Sequence, residues 1–380
     1  MTMPAAQKVD LDFRLPKIAA SAMKKWLVGL LLLPVLMLPS VGRSAEASPQ
    51  GIHAAVLDEY LDQVEDGNGG LGSVSIFRGG REVYQRRFGQ KYLPGVQADA
   101  DTRYQIASVT KMVTAILAFK LIEQGRLGLD DTLADFHPEM PSAAQISVRQ
   151  MLAHSSGLGN FAIKDGTVWI VDALEPPAIL AEIRRQGVAF APGTRVAYSN
   201  SAYYLLRMIV EDIYGRPYHE IVEQEIARPL HLAHFASVKA NHADTFRSYA
   251  FADGAWGEIK EVDFNNVVGV GDIASTPSDL NRLIVALFNG ELVRKETLAL
   301  MAPEPGKGWG MGLAEFAYGE NTFLGHGGDV IGAHSRVIYN PQDGTAIAYS
   351  TNGERIPTNA FLETIVGIVY DGTFQAPALK

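Results

Sequence analysis

The sequence predicts an α+β fold within the broad α/β class: an antiparallel sheet flanked by terminal helices, with a helical lobe inserted between early and late strands. Three observations predict it. Runs that alternate apolar and polar residues around tight turns lie near both ends, at 73–88 and 335–350. Helical spacing punctuated by loops dominates the stretch from about 125 to 262. Amphipathic helical patterns open the folded part at Ile52 and close it at Tyr370.

The first 47 residues stand apart. Lys24 and Lys25 precede an apolar run from Trp26 to Val41, and Ala45-Glu46-Ala47 supplies small residues where a signal peptidase reads. Residues 1–47 are therefore expected to be an export signal with an extended n-region, Met23 being an alternative start. The run spans 16 residues and contains Pro34 and Pro39, short of the roughly 20 that a membrane span needs. An exported chain, periplasmic or secreted, with no stable membrane span after cleavage is the expectation; a retained anchor is the competing reading. Residues 48–380 read as one domain.

Ile52, Val56, Leu57, Tyr60, Leu61 and Val64 give the first helix. Asp66-Gly67-Asn68-Gly69-Gly70 ends it, and Ser73–Phe77 and Glu82–Phe88 form a hairpin about Arg78-Gly79-Gly80-Arg81. Gly67-Asn68-Gly69-Gly70-Leu71-Gly72 matches a dinucleotide fingerprint only formally, because it leads into a strand instead of following one. It is read as a turn. A helix begins near Ser108, and the lobe contributes Val148–Leu152, Pro176–Gln186 and Ala202–Tyr214, punctuated by Pro141, Gly157, Pro192-Gly193 and Gly215-Arg216-Pro217. After the glycine turn Gly269-Val270-Gly271, Thr276-Pro277-Ser278-Asp279 starts a helix that runs through Leu280 to Asn289. Ser335–Tyr339 and Thr345–Ser350 pair about Asn340-Pro341-Gln342-Asp343-Gly344, and Pro357–Tyr370 is the closing helix.

Composition narrows the function. The 380 residues are 47% hydrophobic and 20% charged, which supports a core of ordinary size. A net charge of −9 excludes the concentrated basic face of a nucleic-acid binder. There is no cysteine, so an exported chain has neither disulfides nor a lipid-bearing thiol and must rely on its apolar core.

Three short segments carry chemistry. In Ala107-Ser108-Val109-Thr110-Lys111-Met112, a hydroxyl and an amine three residues apart share one helix face. A serine at a helix N-terminus lies among N–H groups that favour an oxyanion, and a lysine one turn on can take its proton if burial keeps the amine partly neutral. The plain alternative is a capping Ser108 and a solvated Lys111; the same spacing recurs at Ser21-Ala22-Met23-Lys24. In Tyr198-Ser199-Asn200, residues two apart in extended chain point the same way, so Tyr198 could relay protons and Asn200 could bond substrate and Lys111. Its alternative is a half-buried aromatic followed by the N-cap of the helix from Ala202. Gly325-His326-Gly327-Gly328-Asp329 lets backbone approach a ligand, with His326 standing over the cleft; the alternative is a glycine-rich turn. His231 and His234 lack a third ligand, which argues against a metal site. His154 reads as part of a turn, and no Gly-x-Ser-x-Gly elbow is present.

Together, Ser108-Val109-Thr110-Lys111, Tyr198-Ser199-Asn200 and His326-Gly327-Gly328 resemble the Ser-x-x-Lys, Tyr-x-Asn and Lys/His-x-Gly elements of serine β-lactamase-related proteins, in the same order. Met151–Leu158 and Phe190-Ala191-Pro192-Gly193 are similar to segments of the class C branch, which includes D-alanyl-D-alanine carboxypeptidases and esterases. The resemblance spans residues 51 to 371 and implies a β-lactamase/transpeptidase-like fold. It implies that Ser108 is acylated, that Lys111 and Tyr198 move protons, and that Asn200, His326, Gly327 and Gly328 bind substrate. The backbone N–H groups of Ser108 and Asp329 would form the oxyanion hole, with no role for the Asp329 side chain. Chemistry would pass through an acyl-enzyme without metal or organic cofactor, on a small-molecule or peptide substrate, with no nucleic-acid partner. His326-Gly327-Gly328 departs from the Lys-Thr-Gly of true β-lactamases, trading a permanent cation for a largely neutral imidazole. That weakens the expected grip on a carboxylate and favours an ester or D-amino-acid peptide over a β-lactam. The competing class is a non-hydrolytic penicillin-recognising or scaffold protein, against which the intact Lys111 and Tyr198 weigh.

Overall fold

The computed structural model describes residues 51–380 apart from 94, 95, 97, 240–244, 377, 378 and 380, and Ile52–Lys380 forms one compact unit. The export segment expected over residues 1–47 lies outside the described residues. Among the described residues no helix is long and apolar enough to cross a membrane.

The main sheet has six strands: β1 (Gly70–Arg78), β2 (Arg81–Phe88), β3 (Ala314–Tyr318), β4 (Asn321–Val330), β5 (Ala333–Tyr339) and β6 (Ala346–Glu354). Their order is β3-β4-β5-β6-β1-β2, every neighbour antiparallel, so β6 joins the early hairpin to the late strands. The two-residue period sorts the core. Val74, Ile76, Ile338, Ile347 and Tyr349 face the terminal helices, whereas Phe77, Val337, Ala346 and Ala348 face the rest of the molecule.

Helix α1 (Ala54–Asp66) buries Leu57, Tyr60, Leu61 and Val64, the apolar stripe of its sequence. It packs beside the closing helix, Thr358–Asp371, whose Phe361 ring lies 4.9 Å from Tyr349 and 5.4 Å from Phe88. On the opposite face, helix α2 (Thr110–Glu123) is buried along nearly its whole length. Its few polar side chains are used. The Thr114 hydroxyl donates to the Gly269 carbonyl at 2.6 Å, and Thr110 Oγ1 accepts from the Ile273 N–H at 3.2 Å, so α2 grips the segment 269–273. The lobe adds α3 (Val148–Leu152), α4 (Pro176–Gln186), α5 (Asn200–Tyr214) and α6 (Tyr218–Val222), with α5 against α2 and α3. Next, α7 (Pro277–Asn289), capped by Thr276, packs on β1, β5 and β6; α8 (Lys295–Met301) follows, and the closing helix is α9.

Several expectations need correction. The lobe also contains two hairpins, Ile163–Lys164 with Thr167–Val168 and Tyr249–Ala252 with Ala255–Glu258. Both turn on Asp-Gly with positive φ at each residue, a local signal the sequence displayed. Helix α5 starts at Asn200, capped by Ser199, whose hydroxyl accepts from the Ala202 N–H; Asn200 is not the cap. Gly325–Asp329 is the interior of a strand, not a turn.

Candidate active site

The chain enters the site through Ala107, a non-glycine residue held at φ 45°. That left-handed turn redirects the backbone from the short strand Tyr104–Gln105 into a 3-10 turn, Ala107–Val109, ahead of α2. Ser108 lies within this turn, partly exposed, and caps neither element. Lys111, one turn later, is fully buried. Its Nζ lies 3.0 Å from Ser108 Oγ, donates to the Val270 carbonyl at 2.9 Å and sits 4.9 Å from the centre of the Tyr198 ring. Burial drives the Lys111 amine well below its ordinary pKa, towards the neutral base. The solvated lysine of the plain reading is therefore excluded.

The Tyr198 phenol lies beside Ser108 and Lys111. Burial raises the phenol above its ordinary pKa, an effect the Ser108 contact partly offsets. So the two groups flanking Ser108 are pushed in opposite senses: the amine is ready to accept a proton, the phenol holds one. Such divergence is what acid and base roles require. The Tyr198 ring stacks on His154 at 4.5 Å and leans on Trp309 at 5.4 Å. His154 is more than part of a turn: its Nδ1 accepts from the Ser199 N–H at 3.2 Å and its carbonyl from the Ala197 N–H at 2.8 Å, bracketing Tyr198.

Asn200 Nδ2 donates to Asn160 Oδ1 at 2.8 Å instead of bonding Lys111. His326 shares the face of β4 that Gly328 turns to Ser108. It is buried on β4, with Trp309 edge-on at 5.5 Å. Its Nδ1 lies 2.7 Å from the Gly327 carbonyl, which can only accept, so Nδ1 carries the proton and Nε2 is left as an acceptor. Burial and the neighbouring Lys111 lower the imidazole to about 3, and it supplies no cation at neutral pH.

The glycines have separate reasons. A Cβ on Gly328 would run into the Ile106 carbonyl and lie 2.8 Å from the Ser108 nitrogen, so only glycine lets β4 close on the nucleophile turn. A Cβ on Gly327 would lie 2.9 Å from Cδ and Nε of Arg336 on the neighbouring strand. Asp329, whose side chain had no expected role, pairs with Arg336 through both oxygens, at 3.0 and 2.9 Å, and with His334 Nδ1 at 2.8 Å. Burial alone would raise this carboxyl; Arg336 and His334 outweigh it and hold it below the usual carboxylate range. Sequence reasoning missed Arg336, Trp309, His154 and Asn160 as site neighbours, and passed over Val270 as a mere turn. Only the resemblance flanking Met151–Leu158 pointed near His154. Among the described residues no group of three or more His, Cys, Asp or Glu side chains could hold a metal ion, and His234 pairs with Asp101 at 3.2 Å.

A sheet covered by terminal helices, with a Ser-x-x-Lys turn pressed against β4 and a tyrosine from an inserted lobe beside it, is the β-lactamase/transpeptidase-like fold. The chain belongs to the Beta-lactamase family, whose family model matches residues 57–366. It is 25% identical over 292 residues to the D-alanyl-D-alanine-carboxypeptidase/endopeptidase AmpH of Escherichia coli (strain K12), covering 73% of each chain. It is 22% identical over 219 residues to the teichoic acid D-alanine hydrolase of Staphylococcus aureus (strain MRSA252), covering 57% of this chain and 54% of that one. The solved D-amino acid amidase from Ochrobactrum anthropi SV3 superposes with a TM-score of 0.68 at 26% identity, over 83% of this chain and 98% of that chain. These relatives are hydrolases of one serine β-lactamase fold.

Proposed function

We propose that the protein is a serine hydrolase that works through an acyl-enzyme on an ester or amide of a D-amino acid type. The observation that carries this is the 3.0 Å approach of Lys111 Nζ to Ser108 Oγ, with the amine buried and biased towards its neutral form. Ser108 attacks the scissile carbonyl as its proton passes to Lys111. Tyr198, beside Ser108 and Lys111, hands a proton to the departing amine or alcohol and is reprotonated from Lys111, which restores the neutral amine. The N–H groups of Ser108 and Asp329 receive the oxyanion, and a water then reverses the sequence to release the acid.

The relatives act, by name, on D-alanyl-D-alanine peptides, on D-alanine of teichoic acid and on D-amino acid amides. Within that range the neutral, buried His326 favours leaving groups that carry no carboxylate, because it offers no charge to hold one. We place the substrate among D-aminoacyl esters and amides, met outside the cytoplasm if the export signal acts as expected.

The test is steady-state hydrolysis by the purified chain of a p-nitrophenyl acyl ester, a D-alanine amide, a D-Ala-D-Ala peptide and nitrocefin. Continuous turnover of ester or amide, lost in Ser108→Ala, is expected. A single stoichiometric burst would instead identify a penicillin-recognising binder.

A further inference from the structure

Resting on the acyl-transfer reading above, we propose that Arg336 is a positioning residue for the oxyanion hole, acting through the Gly328–Asp329 peptide. Its guanidinium would hold and polarise the carbonyl of the peptide whose N–H receives the developing negative charge.

Arg336 lies on β5 directly across from Gly327. Strand alternation puts it on the sheet face of Ile338, which packs with the terminal helices, while Gly328 meets Ile106 and Ser108 on the other face. Arg336 therefore cannot touch a substrate held at Ser108. What it touches is the strand itself. Nη1 donates to the Gly328 carbonyl at 3.1 Å and to the Ser335 carbonyl at 2.8 Å, and both terminal nitrogens grip the Asp329 carboxylate. Gly327, without a side chain, leaves the space the guanidinium crosses.

In a trans peptide the C=O and N–H point in opposite directions, and the chain contains no cis bond among the described residues. With the Gly328 carbonyl turned back to Arg336, the Asp329 N–H is aimed away from β5. Pairing with β3 ends at Gly325, so beyond that point this edge of β4 lies open beside the Ala107–Val109 turn. A charged donor on the carbonyl draws electron density through the amide and makes its N–H a stronger donor. With the charge of the guanidinium matched by the Asp329 carboxylate, its effect on the oxyanion runs through the carbonyl it bonds. Asp329 completes the arrangement: it fixes the guanidinium, and its own charge is taken up by Arg336 and His334.

A buried ion pair that merely stabilises the sheet would make the same contacts, so the test must read the oxyanion. Two variants serve: Arg336→Lys, which keeps charge and loses the planar fork, and Arg336→Met combined with Asp329→Asn, which leaves no buried charge unpaired. Each is compared with the wild type in Tm, in kcat and KM for a p-nitrophenyl ester, and in the rate ratio between that ester and its thionoester, whose sulfur accepts hydrogen bonds poorly. Folded variants are expected to keep KM while kcat falls about 10-fold for Arg336→Lys and about 100-fold for the double variant, at or below the roughly 10²–10³ that loss of an oxyanion donor costs. The preference for ester over thionoester should shrink in step. Folded variants with kcat within about twofold of wild type, or with both esters slowed equally, would overturn the inference. If the double variant does not fold, Arg336→Lys decides by the same criteria. Hydrolysis that survives Ser108→Ala would sink the acyl-enzyme reading; hydrolysis that needs Ser108 and ignores Arg336 sinks only this proposal.

Discussion

Lys111 carries an amine into the interior on a helix that is otherwise almost wholly apolar, and it is held there by one carbonyl and one hydroxyl. The proposed mechanism uses its base form, so kcat/KM should fall as pH drops through its lowered pKa. The stability consequence has a definite sign. Between its lowered folded pKa and the unfolded value near 10.4, the unfolded chain binds a proton that the folded chain refuses, so stability rises with pH across that window. Lys111→Met is expected to abolish turnover while raising Tm at pH 7, with the gap to wild type narrowing towards pH 10. Thermal melts across that range check it, and a Tm below wild type at pH 7 would make the amine a structural tie. At this scale the meeting of Ser108, Lys111 and Tyr198 was legible, because it rests on residue type and spacing. The supporting shell was not. Trp309 and Asn160 lie far along the chain from the groups they touch, and the partners of Arg336, seven and eight residues back, are set by the register of the β4–β5 hairpin, which nothing local marks.

Strand β4 shows how a whole element is shaped by one contact. Gly325, Gly327 and Gly328 weaken it as a strand by propensity, which is why the sequence keeps a glycine-rich turn open as the alternative there. Tertiary packing overrides that preference, since the Ile106 carbonyl, the Ser108 nitrogen and Arg336 occupy the places where side chains would go. Gly328→Ala is expected to lift β4 from the nucleophile turn, lowering kcat at least about tenfold and stability by about 1–3 kcal/mol, as overpacking does. Gly257→Ala, at a position with open space and ordinary φ, is the control and should change neither. Enzyme assays and urea melts of the two variants separate the cases. The helices, by contrast, were readable nearly to the residue where an apolar stripe and a cap agreed, as in α7 with Thr276 and Pro277.

The molecule divides its labour between the faces of the sheet. Ser108, Lys111 and Tyr198 occupy the lobe side, while α1 and α9 seal the back with Tyr60, Phe88, Tyr349 and Phe361. Phe361→Ala is expected to cost about 3–5 kcal/mol in urea unfolding, as large aromatic truncations do. The kcat of the folded fraction should stay near wild type, because the ring packs on Tyr60, Phe88 and Tyr349 and not on the Arg336–Asp329 pair. A fall in kcat matching the loss of stability would show that the deletion reaches Arg336 through Tyr349. The strand order adds a last consequence. Since β6 is wedged between β5 and β1, the sheet that ties the early hairpin to the glycine strand over the alcohol at 108 is whole only when it is seated. Colour from a chromogenic ester during refolding would thus time the knitting together of the entire chain, with partly folded forms staying dark.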